Sequence, residues 1–279
     1  MKHQEFHLKA CDGLDLYGQA WLTEKKAKAL IVIVHGLGEH SARYAHVAQA
    51  FTDNNFNVYA FDQRGHGKSG GKRGHTPSAK CLLDDITIVI QYAQNETGKD
   101  LPTFLYGHSL GGLEVLYYGL DEKTKLAGII STAPTLDMSS TNKFKIMLAR
   151  LLNSIMPALA LANGLDVEGL SRDPKVVADY IADPLVHDRV SARLGLFIIE
   201  GGAYMLAHAD KWHLPLLLMH GTKDRICNYK GSEAFATVVK GDVTLKSWEG
   251  FFHEIHNEPQ KEEVFQTIVN WIKSQLKKK

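Results

Sequence analysis

Apolar and polar residues alternate along the start of the chain. Phe6, Leu8 and Ala10 form one set, and Leu14, Leu16, Gly18, Ala20 and Leu22 form a second. A period of two places each set on one face of a strand, and Asp12-Gly13 between them is a strong two-residue turn signal, so this region predicts a β-hairpin. The pattern then changes. Leu30–Val34, Val58–Phe61, Phe104–Tyr106, Gly128–Ile130 and Leu216–Met219 are short apolar runs without alternation. Such runs read as strands buried on both faces of a parallel sheet. The segments 42–54, 81–96, 110–120, 231–239 and 261–276 read as helices, and a last strand, Val243–Trp248, precedes the final one. Strands alternating with helices predict right-handed crossovers and a doubly wound α/β sheet covered on both faces.

One stretch departs from this rhythm. More than 80 residues separate Thr132 from Leu216, too many for a single crossover. Within it, Lys143–Leu161 reads as an apolar helix with Phe144, Leu148, Leu151, Leu152, Ile155 and Leu159 on one face, joined by Met147 and Met156. Asp173-Pro174 and Asp183-Pro184 punctuate the next stretch, and 189–209 reads as the helix returning to the sheet. An insertion after a strand's C-terminal end sits over the region where such sheets bind ligands. The expected organisation is a core at 1–135 and 189–279, with a helical cap at 136–188 inserted after the sixth strand.

Composition narrows the class. Lys+Arg 32 against Asp+Glu 31 gives a net charge of +1, which provides no long-range attraction to nucleic acid. Cys11, Cys81 and Cys227 are odd in number and far apart, so they make neither a disulfide framework nor a zinc pair. The N-terminus lacks the apolar core of a signal peptide. The longest apolar stretch, Ile146–Ala162, has 17 residues and contains Arg150, Asn153 and Pro157, short of the roughly 20 that span a bilayer. A soluble, cytoplasmic protein is expected.

The chemistry is concentrated at Gly107-His108-Ser109-Leu110-Gly111, which follows a predicted strand and opens a predicted helix. In that setting a serine on a strained turn projects its hydroxyl from the sheet, and the helix start supplies the unpaired N–H of Leu110. An acid and a histidine are then expected after later strands. Leu216–Met219 leads to Asp224, and Val243–Trp248 leads to His253. Parallel strands share a C-terminal edge, so Ser109, Asp224 and His253 are predicted to converge there as a catalytic triad. His256 is the competing histidine, and His220 is read as a structural residue at a strand end. The second oxyanion donor is expected in His35-Gly36-Leu37-Gly38, with the Leu37 N–H as candidate.

Two other motifs carry less. Gly65-His66-Gly67-Lys68-Ser69-Gly70 fits a dinucleotide-binding pattern but is followed by a loop, and the glycine of a phosphate-binding loop is replaced by Asp62. His253-Glu254-Ile255-His256 is not H-E-x-x-H, and no cluster has zinc spacing. Neither metal nor cofactor is expected.

These residues resemble the α/β-hydrolase superfamily and, within it, the monoacylglycerol lipase and lysophospholipase branch. The resemblance spans nearly the whole chain. It rests on 35–44, on Asp62 to Ser69, on Gly107 to Gly112, on Leu170-Ser171-Arg172-Asp173, on Asp183 to Val186, on Asp224 to Cys227, and on His253 to Glu258. It implies a cap over an apolar acyl tunnel and hydrolysis of one-chain glycerolipids. It also implies a polar glycerol pocket built from Glu39, Arg43 and His256. The spacing of Glu39 and Arg43, i and i+4, independently allows an ion pair beside the oxyanion loop. A thiol, Cys227, is implied near the acid with a steric role. Leu110 stands where methionine is common, and Glu114 in the nucleophile helix is expected to face outward. The reading is therefore a serine ester hydrolase acting on monoacylglycerols through an acyl-enzyme. Lysophospholipase or broad esterase is the close alternative; thioesterase or acyltransferase, and a catalytically silent binding protein, are more distant ones. No obligate protein partner is evident, and the cap helix is expected to wall the tunnel or touch a lipid surface transiently.

Overall fold

The computed structural model describes residues 1–121, 123–137 and 143–278. Residues 138–142, at the start of the expected cap segment, lie outside the described residues. Eight strands form the main sheet: β1 (Lys2–Lys9), β2 (Asp15–Leu22), β3 (Ala29–Val34), β4 (Phe56–Phe61), β5 (Thr103–His108), β6 (Gly128–Thr132), β7 (Leu216–Gly221) and β8 (Val243–Trp248). Their spatial order is β1-β2-β4-β3-β5-β6-β7-β8. The β1–β2 and β2–β4 pairs are antiparallel, and every pair from β4 to β8 is parallel. The hairpin turn at Asp12-Gly13 is closed by the Ala10 N–H on the Leu14 carbonyl at 2.9 Å.

The apolar runs are explained by the two faces. Ile31, Ile33, Phe104 and Tyr106 point into one core, with Phe51 of α1 (Ala45–Thr52) and Ile268 of the C-terminal helix. Leu30, Val32, Val34 and Leu105 point into the other, with Ile86 of α2 (Ala79–Thr97) and Leu113 of α3 (Leu110–Gly119). Because both faces are covered, no position of β3 or β5 is left for a polar side chain to face water.

Between β6 and β7 the chain forms α4 (Lys143–Ile155), α5 (Pro174–Ala182) and α6 (Ala192–Ala207); α7 (Tyr229–Val238) and α8 (Lys261–Lys277) complete the set. The reading of one helix to Leu161 is corrected. α4 stops at Ile155 because Pro157 disfavours helical backbone at the residue before it. Ala160–Ala162 instead pairs antiparallel with Arg189–Ser191 in a short ribbon, which also delays the returning helix to Ala192. α6 lies against both α3 and α4.

Glu114 also departs from expectation. It is buried, at 1% exposure, because α3 is covered by the sheet, α2 and α6 and has no outward face there. Among the described residues its Oε1 has no hydrogen-bond partner. Desolvation, assisted by the nearby Asp85 charge, pushes its carboxyl well above the ordinary range. Among the described residues no helix is long and apolar enough to cross a membrane.

Candidate active site

β5 ends at His108, and Ser109 occupies the turn into α3 with φ 56° and ψ −115°. A non-glycine residue rarely adopts this conformation, and here it sets the hydroxyl outside the helix it caps. Gly111 is required by close approach, since a Cβ there would collide with the Val34 carbonyl oxygen. Ser109 Oγ lies 2.9 Å from His253 Nε2, and His253 Nδ1 lies 2.7 Å from Asp224 Oδ2. The three residues named from the order of strands therefore meet at the C-terminal edge of the sheet.

Asp224 is held on all sides. The N–H groups of Ile226 and Cys227 donate to Oδ1 at 2.7 and 2.9 Å. His220 Nε2 donates to Oδ2 at 3.0 Å while its Nδ1 meets Ser232 Oγ at 2.7 Å. Burial alone would raise the Asp224 carboxyl, but the His253 charge and the bonds from His220 and His253 hold it well below the usual carboxylate range. For His253, burial favours the neutral ring, yet the Asp224 charge and hydrogen bond outweigh it and raise its pKa above 6.5. The pair can thus stabilise an imidazolium as it forms.

The His253 loop is tied down by the insertion. His253 N–H donates to the Gly169 carbonyl at 3.2 Å, and Glu254 N–H to that of Leu170 at 2.7 Å. Glu258 accepts from Phe252 N–H at 2.7 Å and from Arg172 Nε at 2.6 Å. His256 is placed elsewhere: its ring packs 5.0 Å from Tyr44 and 4.7 Å from His108, and among the described residues neither ring nitrogen has a partner.

Leu37 lies in the loop after β3. Among the described residues neither its N–H nor that of Leu110 has an acceptor. The loop approaches the serine closely, since a Cβ on Gly36 would lie 3.3 Å from Ser109 Cβ. Gly38 takes φ +81°, and a Cβ there would lie 2.5 Å from the His187 carbonyl oxygen. The loop is supported by Gln63, whose N–H donates to His35 Nε2 at 2.9 Å and whose amide donates to the His35 carbonyl at 2.6 Å. Gln63 belongs to the Asp62 to Ser69 stretch of the family resemblance, which thus buttresses this turn.

A cavity of about 250 Å³ opens at Ser109. Leu165 and Tyr180 of the insertion, with Val190 and Ile198 of the segment returning to the sheet, contribute to its mostly apolar wall. No α4 residue lines it among the described residues; α4 instead leaves Phe144, Met147, Leu151 and Ile155 more than half exposed, at 63%, 60%, 55% and 66%. Cys227 lines the cavity, and burial pushes its thiol up, away from the reactive thiolate.

Beside the serine, Glu39 accepts from Gly36 N–H and Tyr44 Oη, each at 2.7 Å, and from Arg43 Nη1 at 2.6 Å. Arg43 also grips Glu254 through both terminal nitrogens, at 2.6 and 2.8 Å. Glu39 and Glu254 line the cavity, whereas Arg43 and His256 do not. The sequence reading missed Glu254, although it directly follows the histidine of the triad. Glu39, His108 and Glu254 bring ligand-type atoms within 4.8 Å of one another, the one such group among the described residues. The Arg43 guanidinium already bridges these two carboxylates where a cation would have to bind.

A family model described as Hydrolase_4, serine aminopeptidase S33, matches residues 25–260. An uncharacterised abhydrolase domain-containing protein of Dictyostelium discoideum is 38% identical over 92% of this chain, which spans 28% of that protein's length. The monoacylglycerol lipase of Mycolicibacterium smegmatis is 34% identical over 95% of both chains. The crystal structure of Paleococcus ferrophilus monoacylglycerol lipase superposes with a TM-score of 0.86 at 39% identity, covering 93% of this chain and 99% of that one. With the elbow serine, the strand order and the hydrogen-bonded trio all in hand, these likenesses place the chain in the Hydrolase_4 family of α/β-hydrolases, on the branch that holds the monoacylglycerol lipases.

Proposed function

We propose that this protein hydrolyses the carboxylic ester of monoacylglycerols, releasing fatty acid and glycerol. The observation that supports it most is the unbroken chain Ser109 Oγ–His253–Asp224, with links of 2.9 and 2.7 Å, at the end of a mostly apolar cavity. His253 Nε2 takes the Ser109 proton as the oxygen attacks the ester carbonyl carbon. The oxyanion is met by the Leu37 and Leu110 N–H groups, each such donor being worth about 3 kcal/mol of barrier. His253 then delivers the proton to the departing glycerol oxygen. Water attacks the acyl-enzyme with His253 again as base, and Ser109 is regenerated. Asp224 fixes the imidazole tautomer and stabilises its cation.

The acyl chain lies against Leu165, Val190 and Ile198, while Glu39, Arg43 and His256 form or support the glycerol side. Residues 136–188 act as a cap over this cavity. The apolar residues of α4 dock transiently on lipid surfaces, where the substrate resides, and their outward exposure supports this role over that of tunnel wall.

A fluorophosphonate probe and a substrate panel test the proposal. The wild-type protein is expected to be labelled at Ser109 and to turn over monoacylglycerol faster than lysophosphatidylcholine, a nitrophenyl ester or an aminoacyl nitroanilide. Ser109→Ala should abolish labelling and turnover while remaining folded. A clear preference for the phospholipid or the amide, or turnover retained by Ser109→Ala, refutes it.

A further inference from the structure

The leaving-group side of the cavity contains one more carboxylate than guanidinium. Glu254, 2% exposed, shares the cavity lining with Glu39 and Ser109. A single guanidinium, that of Arg43, donates to both carboxylates, through Nη1 to each at 2.6 Å and through Nη2 to Glu254 at 2.8 Å. The trio keeps a net charge of −1. Of the neighbouring imidazoles, burial holds those of His108 and His256 neutral, and that of His253 is paired with Asp224.

The hydrogen bonds also leave a defined remainder. Glu39 Oε1 already accepts from Gly36 and Tyr44, and Glu254 Oε2 from Arg43 and Asn257. Glu39 Oε2 and Glu254 Oε1 accept only from Arg43 Nη1 among the described residues. A carboxylate oxygen accepts about two bonds, so one acceptor position remains on each. What this pocket offers a ligand is two acceptors and excess negative charge.

We infer that Glu254 is a specificity-determining residue: with Glu39 it accepts the two hydroxyls of a neutral diol leaving group and rejects an alcohol that carries phosphate. A diol supplies two donors for two acceptors. A phosphate supplies only further acceptors and more negative charge, which the two carboxylates repel. The inference rests on the monoacylglycerol reading and narrows its leaving group.

The experiment compares kcat/KM for 1-octanoylglycerol and 1-octanoylglycerol 3-phosphate in the wild type and in Glu254→Gln. The wild type is expected to favour the neutral ester by on the order of a hundredfold. Glu254→Gln, which keeps an amide oxygen towards Arg43, should lower turnover of the neutral ester and raise that of the phosphate, compressing the ratio at least about tenfold. A purely structural role would lower both in proportion, and that result overturns the inference, as does a wild-type ratio near one. If the variant does not fold, competition in the wild type decides. Glycerol should inhibit nitrophenyl octanoate hydrolysis better than glycerol 3-phosphate, and the reverse order overturns the inference. Nitrophenyl ester turnover without any turnover of 1-octanoylglycerol would instead overturn the monoacylglycerol reading beneath it.

Discussion

Replacing Glu114 by glutamine should give a fold that gains stability relative to the wild type as pH rises from acid to neutral. The carboxyl is buried in α3 with an unpartnered Oε1, and desolvation, then the Asp85 charge, raises its pKa well above 4.5. The folded chain therefore holds a proton that the unfolded chain releases. A raised carboxyl pKa gives the sign: stability is fullest below 4.5 and is lost as pH climbs towards the folded value. That climb costs at most about 1.4 kcal/mol per pH unit, a loss that a group unable to titrate does not suffer. Glutamine removes the titration and keeps the shape, although its amide N–H brings an unsatisfied-donor cost of about 1–3 kcal/mol of its own. Urea unfolding of both proteins at pH 5, 6 and 7 measures the difference. The stability of Glu114→Gln relative to wild type should rise with pH across that range, by at most about 1.4 kcal/mol per pH unit. A difference that does not change with pH would show that Glu114 is ionised in the folded state and refute the argument.

Three further outcomes are expected. The acid limb of kcat/KM should have its midpoint above pH 6.5, because Asp224 raises His253 and only the neutral ring accepts the serine proton; Asp224→Asn should move the limb down and lower kcat by roughly 10⁴-fold, both read from pH–rate profiles. Gly38→Ala forces a Cβ to within 2.5 Å of the His187 carbonyl oxygen at a φ of +81°, so the turn bearing the Leu37 N–H must shift; kcat should drop on the order of a hundredfold while chemical denaturation shows a folded protein. Arg43→Met leaves Glu39 and Glu254 without their shared cation, and calorimetry should show a loss of about 3–5 kcal/mol, with a neutral effect ruling out the buried ion pair as described.

The sheet was readable because each parallel strand is covered twice, and the apolar run on β3 or β5 has no other economical explanation. The meeting of Ser109, Asp224 and His253 was readable for a related reason: parallel strands end on one edge, so residues in the loops after them converge there. The features that escaped the sequence depend on packing between elements remote in the chain. A glutamate in a helix is ordinarily read as outward, yet α3 is enclosed by the sheet, α2 and α6, and nothing local to Glu114 signals that. Glu254 gains its place from Arg43, 211 positions away. The end of α4 could have been anticipated from Pro157, but the ribbon after it depends on pairing with residues 189–191.

The bonds from the His253 loop to Gly169 and Leu170 make this part of the insertion a support of the imidazole. A hinge that carried 169–172 outward would strip support from the imidazole and disarm the enzyme at the moment it admitted its substrate.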